Sequence, residues 1–179
     1  MSLATFKKAL DLPYKAVYLG GGEPTIHPEF WDFLDLAMAR KKRVGLSTNG
    51  KIKEVALELL KPKYKNLVPR LSVDDWHEEI DPEVVAVYKK RRRAIWLQER
   101  GLMKYGRSPR GRTDVCCCAT TFIRPNGNIY FCACDDAPQI GTVDGIKPEF
   151  QKMLDEQIRK SIFGAPRRGP RCHKEVFQK

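Results

Sequence analysis

The residues best suited to chemistry fall into two groups: a glycine-rich loop that carries a glutamate, and a late cluster of cysteines. Val17-Tyr18-Leu19 is a short apolar run that reads as a buried strand, and Gly20-Gly21-Gly22-Glu23-Pro24-Thr25 follows it directly. A helical pattern then begins at Pro28, with proline at the first helical position. In parallel α/β folds, ligands gather where the C-terminal end of a strand meets the next helix. Glycines there let backbone N–H and C=O groups approach a ligand with no Cβ in the way. The loop has neither the Gly-Lys-Ser/Thr of a phosphate loop nor the third glycine of a dinucleotide loop. Glu23 would repel a phosphate, whereas a carboxylate among exposed carbonyls suits an ammonium group.

Placed at the end of a strand, Gly21-Gly22-Glu23-Pro24 resembles the Gly-Gly-Glu-Pro motif of radical S-adenosylmethionine enzymes. In that family the motif holds the amino group of the cofactor's methionine moiety, so the resemblance implies that Gly21, Gly22, Glu23 and Pro24 bind the cofactor. Two later strands extend it. Val44 to Thr48 ends at Asn49-Gly50, and Leu67 to Val73 ends at Asp74. In a parallel sheet the tips Glu23, Ser47-Thr48-Asn49 and Ser72-Val73-Asp74 share one edge. Carried over by position, Ser47, Thr48 and Asn49 line the site, and Ser72 and Asp74 reach toward the ribose. The residues alone also allow ordinary turn chemistry, with Asn49-Gly50 as a turn and Ser72 and Asp74 as loop hydrogen-bond formers.

The elements that must position these tips read as strand, helix, strand, helix, strand, joined by right-handed crossovers. Leu3, Phe6 and Leu10 mark a short first helix ending before Pro13. Phe30, Phe33, Leu34, Ala37 and Met38 share one helix face, and Ile52, Val55, Ala56, Leu59 and Leu60 another. Pro69 implies an edge position or a late start for the third strand. Asp74-Asp75-Trp76-His77-Glu78-Glu79 reads as a solvated loop that could also do acid–base or metal chemistry. Asp81 caps a helix expected to run to about Arg100, with its arginines exposed.

All six cysteines lie at 116 or later. Such clustering argues for a metal or cluster site rather than a disulfide framework. Asn126-Gly127 between β-rich runs predicts a hairpin with a two-residue turn, pairing Pro125 with Asn128. In that register Cys117 shares a face with Cys132 and Cys134, while a three-residue loop would exchange its role with that of Cys116 and Cys118. Cys172 (or His173) completes a four-ligand set for an iron–sulfur cluster or zinc. The spacing Cys117-x9-Gly127-x4-Cys132 resembles the opening of the SPASM or twitch auxiliary-cluster module of radical S-adenosylmethionine enzymes. The later cysteine run of the full SPASM module is absent, which implies one auxiliary cluster at most.

The family's Cys-x3-Cys-x2-Cys, which binds the catalytic cluster, is also missing from this sequence. The expectation is therefore a fragment or degenerate member of a radical S-adenosylmethionine iron–sulfur oxidoreductase, inactive alone. Its intact relatives generate a 5′-deoxyadenosyl radical. The expected fold is α/β: a partial (βα) barrel with a parallel sheet over 1–105, and a small Cys-rich β-hairpin module with a C-terminal helix and basic tail over 106–179. A sheet lacking its first strand exposes an edge, expected to be covered by the N-terminal helix, a sheet extension or a second copy. The cofactors implied are S-adenosylmethionine and one auxiliary iron–sulfur cluster or zinc. The net charge of +11 in 179 residues admits an acidic partner or nucleic acid. The alternative class is accordingly a non-enzymatic metal-binding module with a basic nucleic-acid-binding surface. No apolar run reaches membrane-spanning length, and the start has no signal-peptide form, which together predict a cytoplasmic setting.

Overall fold

The protein is described by a computed structural model covering residues 1–40, 43–73, 78–91, 98–99, 121–131, 137–152 and 155. Two compact units divide the chain. One is continuous, Lys15–Leu102. The other combines Met1–Tyr14 with Met103–Lys179, so the first helix, α1 (Leu3–Asp11), is grouped with the C-terminal residues.

In the continuous unit, β1 (Ala16–Leu19), β2 (Arg43–Thr48), β3 (Leu67–Val73) and β4 (Gln98–Glu99) form a parallel sheet in sequence order. Helices α2 (Phe30–Arg40), α3 (Lys53–Glu58) and α4 (Pro82–Lys90) alternate with them. This is the α/β architecture that the alternating apolar periods imply. Register partners in adjacent strands share a face, and the two faces differ sharply. Val44, Leu46 and Leu71 lie on one face and are fully buried. Leu71 packs there with Ala56 and Leu60 after β2 and with Val84 and Tyr88 of α4. Each such side chain contributes about 1.5–3 kcal/mol by leaving water. The opposite face carries Tyr18, Gly45, Ser47, Arg70 and Ser72.

Three expectations need correction. Helix α2 starts at Phe30 rather than Pro28, because a turn intervenes in which Glu29 N donates to His27 Nδ1 at 3.1 Å and Phe30 N to His27 O at 2.9 Å. Helix α4 stops at Lys90 instead of running to Arg100. Arg91 is extended, and Gln98–Glu99 pair with Ser72–Val73 as a strand. Five successive cations at 89–93 oppose further helix by like-charge repulsion, and Ile95-Trp96-Leu97 is an apolar run without helical spacing. Pro69 lies inside the sheet, since β3 pairs on both sides. The proline is tolerated because Val44 N donates to Asn66 O, which by alternation turns position 69 toward β4. That strand pairs only from Ser72 onward.

In the second unit, β5 (Phe122–Ile123), β6 (Asn128–Tyr130), β7 (Gln139–Thr142) and β8 (Gly145–Ile146) make an antiparallel meander. Ile129, Phe131, Ala137 and Ile140 are its buried centre, with Leu12 and Tyr14 packed against them. Ser2 caps α1 by accepting from Thr5 N at 3.2 Å. Lys8 meets Asp144 at 2.5 Å, and Tyr14 Oη donates to Thr121 Oγ1 at 2.8 Å. No helix among the described residues is long and apolar enough to cross a membrane.

Tyr88 is fully buried and donates to the Ala56 carbonyl at 3.1 Å. Burial, and secondarily the negative charge of Glu23, push its phenol above the usual tyrosine value of about 10. A raised folded-state pKa means the contribution is complete below pH 10 and is lost as pH rises further. Urea unfolding should therefore show stability falling above pH 10. Tyr88→Phe should cost about 1 kcal/mol at pH 7 and flatten that alkaline decline.

Candidate functional site

The loop after β1 is organised by one carboxylate. Glu23 Oε1 accepts from Thr25 N at 3.1 Å and from Thr25 Oγ1 at 2.6 Å. Its Oε2 accepts from Asn49 N, at the end of β2, at 2.6 Å. The first pair caps the short 3₁₀ turn Pro24–Ile26, and the third ties this loop to the neighbouring strand end. Gly21 and Gly22, with φ of +88° and +54°, need left-handed backbone that only glycine adopts at little cost. A Cβ at either position would meet nothing within 4 Å, so the two residues form an open, exposed ridge.

The tips of β2 and β3 come to the same rim as Glu23, but their side chains diverge. Ser47 lies on the face opposite the helices, where its Oγ shares a short hydrogen bond with Tyr18 Oη. Thr48 points to the helix-covered face, is 2% exposed, and accepts from Gly50 N at 3.1 Å. Asn49 Oδ1 accepts from Lys51 N at 3.1 Å. Both therefore form local turns, and Gly50 at φ +69° completes the reversal, its missing side chain leaving room for Leu71 Cδ1. Ser72 shares the Ser47 face and is buried beside β4. Asp74 lies outside the described residues.

Sequence reasoning missed Tyr18, Gly45 and Arg70. The Tyr18 ring lies across Gly45, its register partner, where any Cβ would collide with Cδ2 of the ring. The Arg70 guanidinium carbon stands 5.4 Å from the centre of the same ring. Among the described residues, Arg70 Nε is buried without a hydrogen-bond partner. The signal was available: in Val68-Pro69-Arg70-Leu71-Ser72 the polar residues fall at alternate positions, on one face.

Cys117, Cys132, Cys134 and Cys172 lie outside the described residues, as do Cys116, Cys118 and His173. Among the described residues no three His, Cys, Asp or Glu side chains are grouped to hold a metal ion. The hairpin register that singled out Cys117 is corrected. Phe122 pairs with Tyr130 and Ile123 with Ile129, and Gly127 N donates to Arg124 O at 2.9 Å. The turn is thus a three-residue loop, Pro125-Asn126-Gly127, closed by Gly127 at φ +87°. The left-handed conformation open to Gly127 selects this longer loop and moves the pairing by one residue.

Because Glu23 satisfies two backbone donors and a hydroxyl, it supports the fold before any ligand arrives. Glu23→Ala should lower stability by about 2 kcal/mol or more in the ligand-free protein, and Glu23→Gln by less, as read from denaturant midpoints. An unchanged midpoint in the alanine variant would contradict this bracing role.

Comparison with known proteins agrees with this geometry. Mycofactocin maturase MftC of Mycobacterium tuberculosis (strain H37Rv) is 37% identical over 70 residues, covering 38% of this chain and 17% of the relative. The Mycolicibacterium smegmatis protein of the same name aligns with the same identity and coverage. That of Mycobacterium ulcerans is 53% identical over 34 residues, 19% of this chain and 9% of its own. The chain thus spans less than a fifth of the length of these relatives. No solved structure gives a significant match. The sequence model of the radical SAM superfamily matches residues 3–101, more than half of the sequence and all of the parallel sheet, and the chain belongs to that superfamily.

Proposed function

We propose that the chain binds S-adenosylmethionine at the C-terminal rim of its parallel sheet, as part of a radical S-adenosylmethionine iron–sulfur oxidoreductase. The observation that carries this reading is the Glu23 carboxylate, held at the end of β2 beside the open Gly21-Gly22 ridge. A carboxylate can accept about four hydrogen bonds. Oε1 already takes two and Oε2 one, so Oε2 has room for an ammonium group. The ridge lets backbone carbonyls approach the same group. In this reading Ser47 and Ser72 line the site, Thr48 and Asn49 shape the turn that presents the Asn49 amide, and Asp74 contacts the ribose.

Bound beside a reduced [4Fe–4S] cluster, the cofactor supplies radical chemistry. This sequence holds no Cys-x3-Cys-x2-Cys. The residues present therefore do not fit the catalytic cluster, and no step is assigned through it. The chain's own part is to orient the methionine end of the cofactor. An auxiliary cluster or zinc site is proposed for Cys132, Cys134 and Cys172 with one of Cys116, Cys117 and Cys118. The outer side of β1 has no paired strand among the described residues, and a second copy or a further strand is proposed to cover it.

After anaerobic reconstitution with iron and sulfide, calorimetry should show saturable S-adenosylmethionine binding. Glu23→Ala should weaken it at least about tenfold, equivalent to about 1.4 kcal/mol. Absence of binding would overturn the proposal. With dithionite added, this chain alone should release no 5′-deoxyadenosine, and robust product would show that it cleaves the cofactor unaided. Iron, sulfide and zinc analysis of the same sample identifies the auxiliary centre.

A further inference from the structure

We propose that the end of the parallel sheet where its strands begin is a docking surface for the sugar–phosphate backbone of a nucleic acid. The first three entries into this sheet are cationic. Lys15 precedes β1, Arg43 opens β2 and Lys65 stands two residues before β3. Ala16 is the register partner of Arg43, and Val44 N donates to Asn66 O, so these three cations start neighbouring strands at nearly one level. Helix α4 runs back toward the same end, because β3 and β4 are parallel, and it closes on Lys89, Lys90 and Arg91. All six residues are exposed.

These charges are available to a partner. None of the six forms an ion pair among the described residues, while Lys61 and Lys63 are both held by Glu58. Favourable placement at a helix C-terminus accounts for Lys89 and Lys90, the last residues of α4, but Lys15 and Arg43 lie outside any helix. Like charges gathered at one end repel one another, and a bound polyanion relieves that repulsion. Adjacent strands are about 4.8 Å apart, so the row from Lys15 to Lys65 spans roughly 10 Å. A nucleic-acid strand carries one phosphate per about 3.4 Å of duplex axis, which places about three phosphates along that row.

The chemistry of this end selects the partner. Among the described residues, the large apolar side chains left exposed are Tyr18, Ile26 and Ile52. Ile26 and Ile52 belong to the loops that leave β1 and β2, at the opposite end, and Tyr18 lies on the face of the sheet. The basic end thus offers charge with no large apolar anchor among the described residues. A protein interface takes most of its energy from such anchors, and a membrane-surface helix from buried apolar area. Binding to a phosphate backbone needs neither, because release of condensed counterions supplies it. Five residue steps along β2 separate Arg43 from Thr48, about 17 Å, which is beyond the reach of a side chain. The surface is therefore distinct from the Glu23 rim and does not depend on the cofactor reading.

The test uses the full chain and a fluorescently labelled, mixed-sequence RNA of about 20 nucleotides, with anisotropy read between about 50 and 200 mM salt. The wild type should bind saturably at the lower salt. Its log–log salt slope should approach about −4, or roughly 0.7 for each of six phosphates met. Arg43→Glu combined with Lys65→Glu should weaken binding about tenfold or more and flatten the slope by about 1.4. Arg43→Gln with Lys65→Gln should flatten it equally with a smaller loss, and carries the test if the charge-reversed chain does not fold. Lys147→Glu with Lys152→Glu changes the net charge by the same amount at exposed positions outside the sheet unit, and should leave the slope unchanged. No saturable binding, equal weakening by the pair at 147 and 152, or an unaltered slope in the Arg43 and Lys65 variants would overturn the inference. Tighter binding to polyglutamate or to phosphatidylserine vesicles than to the RNA would overturn it as well.

Discussion

The arrangement of the rim depends on a single side chain that links two strand ends. Without Glu23, the loop after β1 would have to find other acceptors for the Thr25 amide, the Thr25 hydroxyl and the Asn49 amide. Three donors converging on one carboxylate make charge-assisted bonds, each stronger than a neutral one. They set the height of the glycine ridge relative to β2. A glutamate so held cannot swing toward a ligand, so the ligand must come to it. That is the condition for binding without further ordering of the site. Two roles usually assigned to different residues, fixing a loop and presenting a charge, thus fall on the same two oxygens.

The sheet behind this rim is divided by chemistry as well as by geometry. One face is sealed by apolar side chains from the crossover helices and does nothing but hold the strands in register. The other is sparsely furnished, with a glycine where the tyrosine ring lies and polar residues above it. The Arg70 guanidinium lies over the Tyr18 ring on this face, and Tyr18 remains 43% exposed.

The sequence made the parallel strands and their polar tips legible because both signals are local. Short apolar runs ending in glycine, asparagine or aspartate need no knowledge of what lies opposite. The motif around Glu23 was readable for the same reason. What stayed hidden depended on partners far along the chain. That Glu23 would brace Asn49, or that Tyr18 would need Gly45, follows only from the register between β1 and β2. The end of α4 was misjudged because helical propensity and the apolar positions at 95 and 97 do not report that Ser72 and Val73 offer a free strand edge there. The hairpin failed more narrowly: Asn-Gly fits a two-residue turn, but Gly127 in its left-handed conformation equally closes a longer loop, and no local residue separates the two.

The composition of the second unit bears on how the chain folds during synthesis. Residues 1–14 are synthesised before the α/β unit, yet the groups they meet are far downstream, with Lys8 paired to Asp144 and Tyr14 to Thr121. Contacts across more than a hundred residues close slowly, and segments awaiting them keep apolar surface in water. Phe6 and Leu10, both buried in the finished protein, must wait while the whole α/β unit is made. Synthesis therefore completes the inserted α/β unit before α1 meets its partners, and the apolar face of α1 needs protection from aggregation until then.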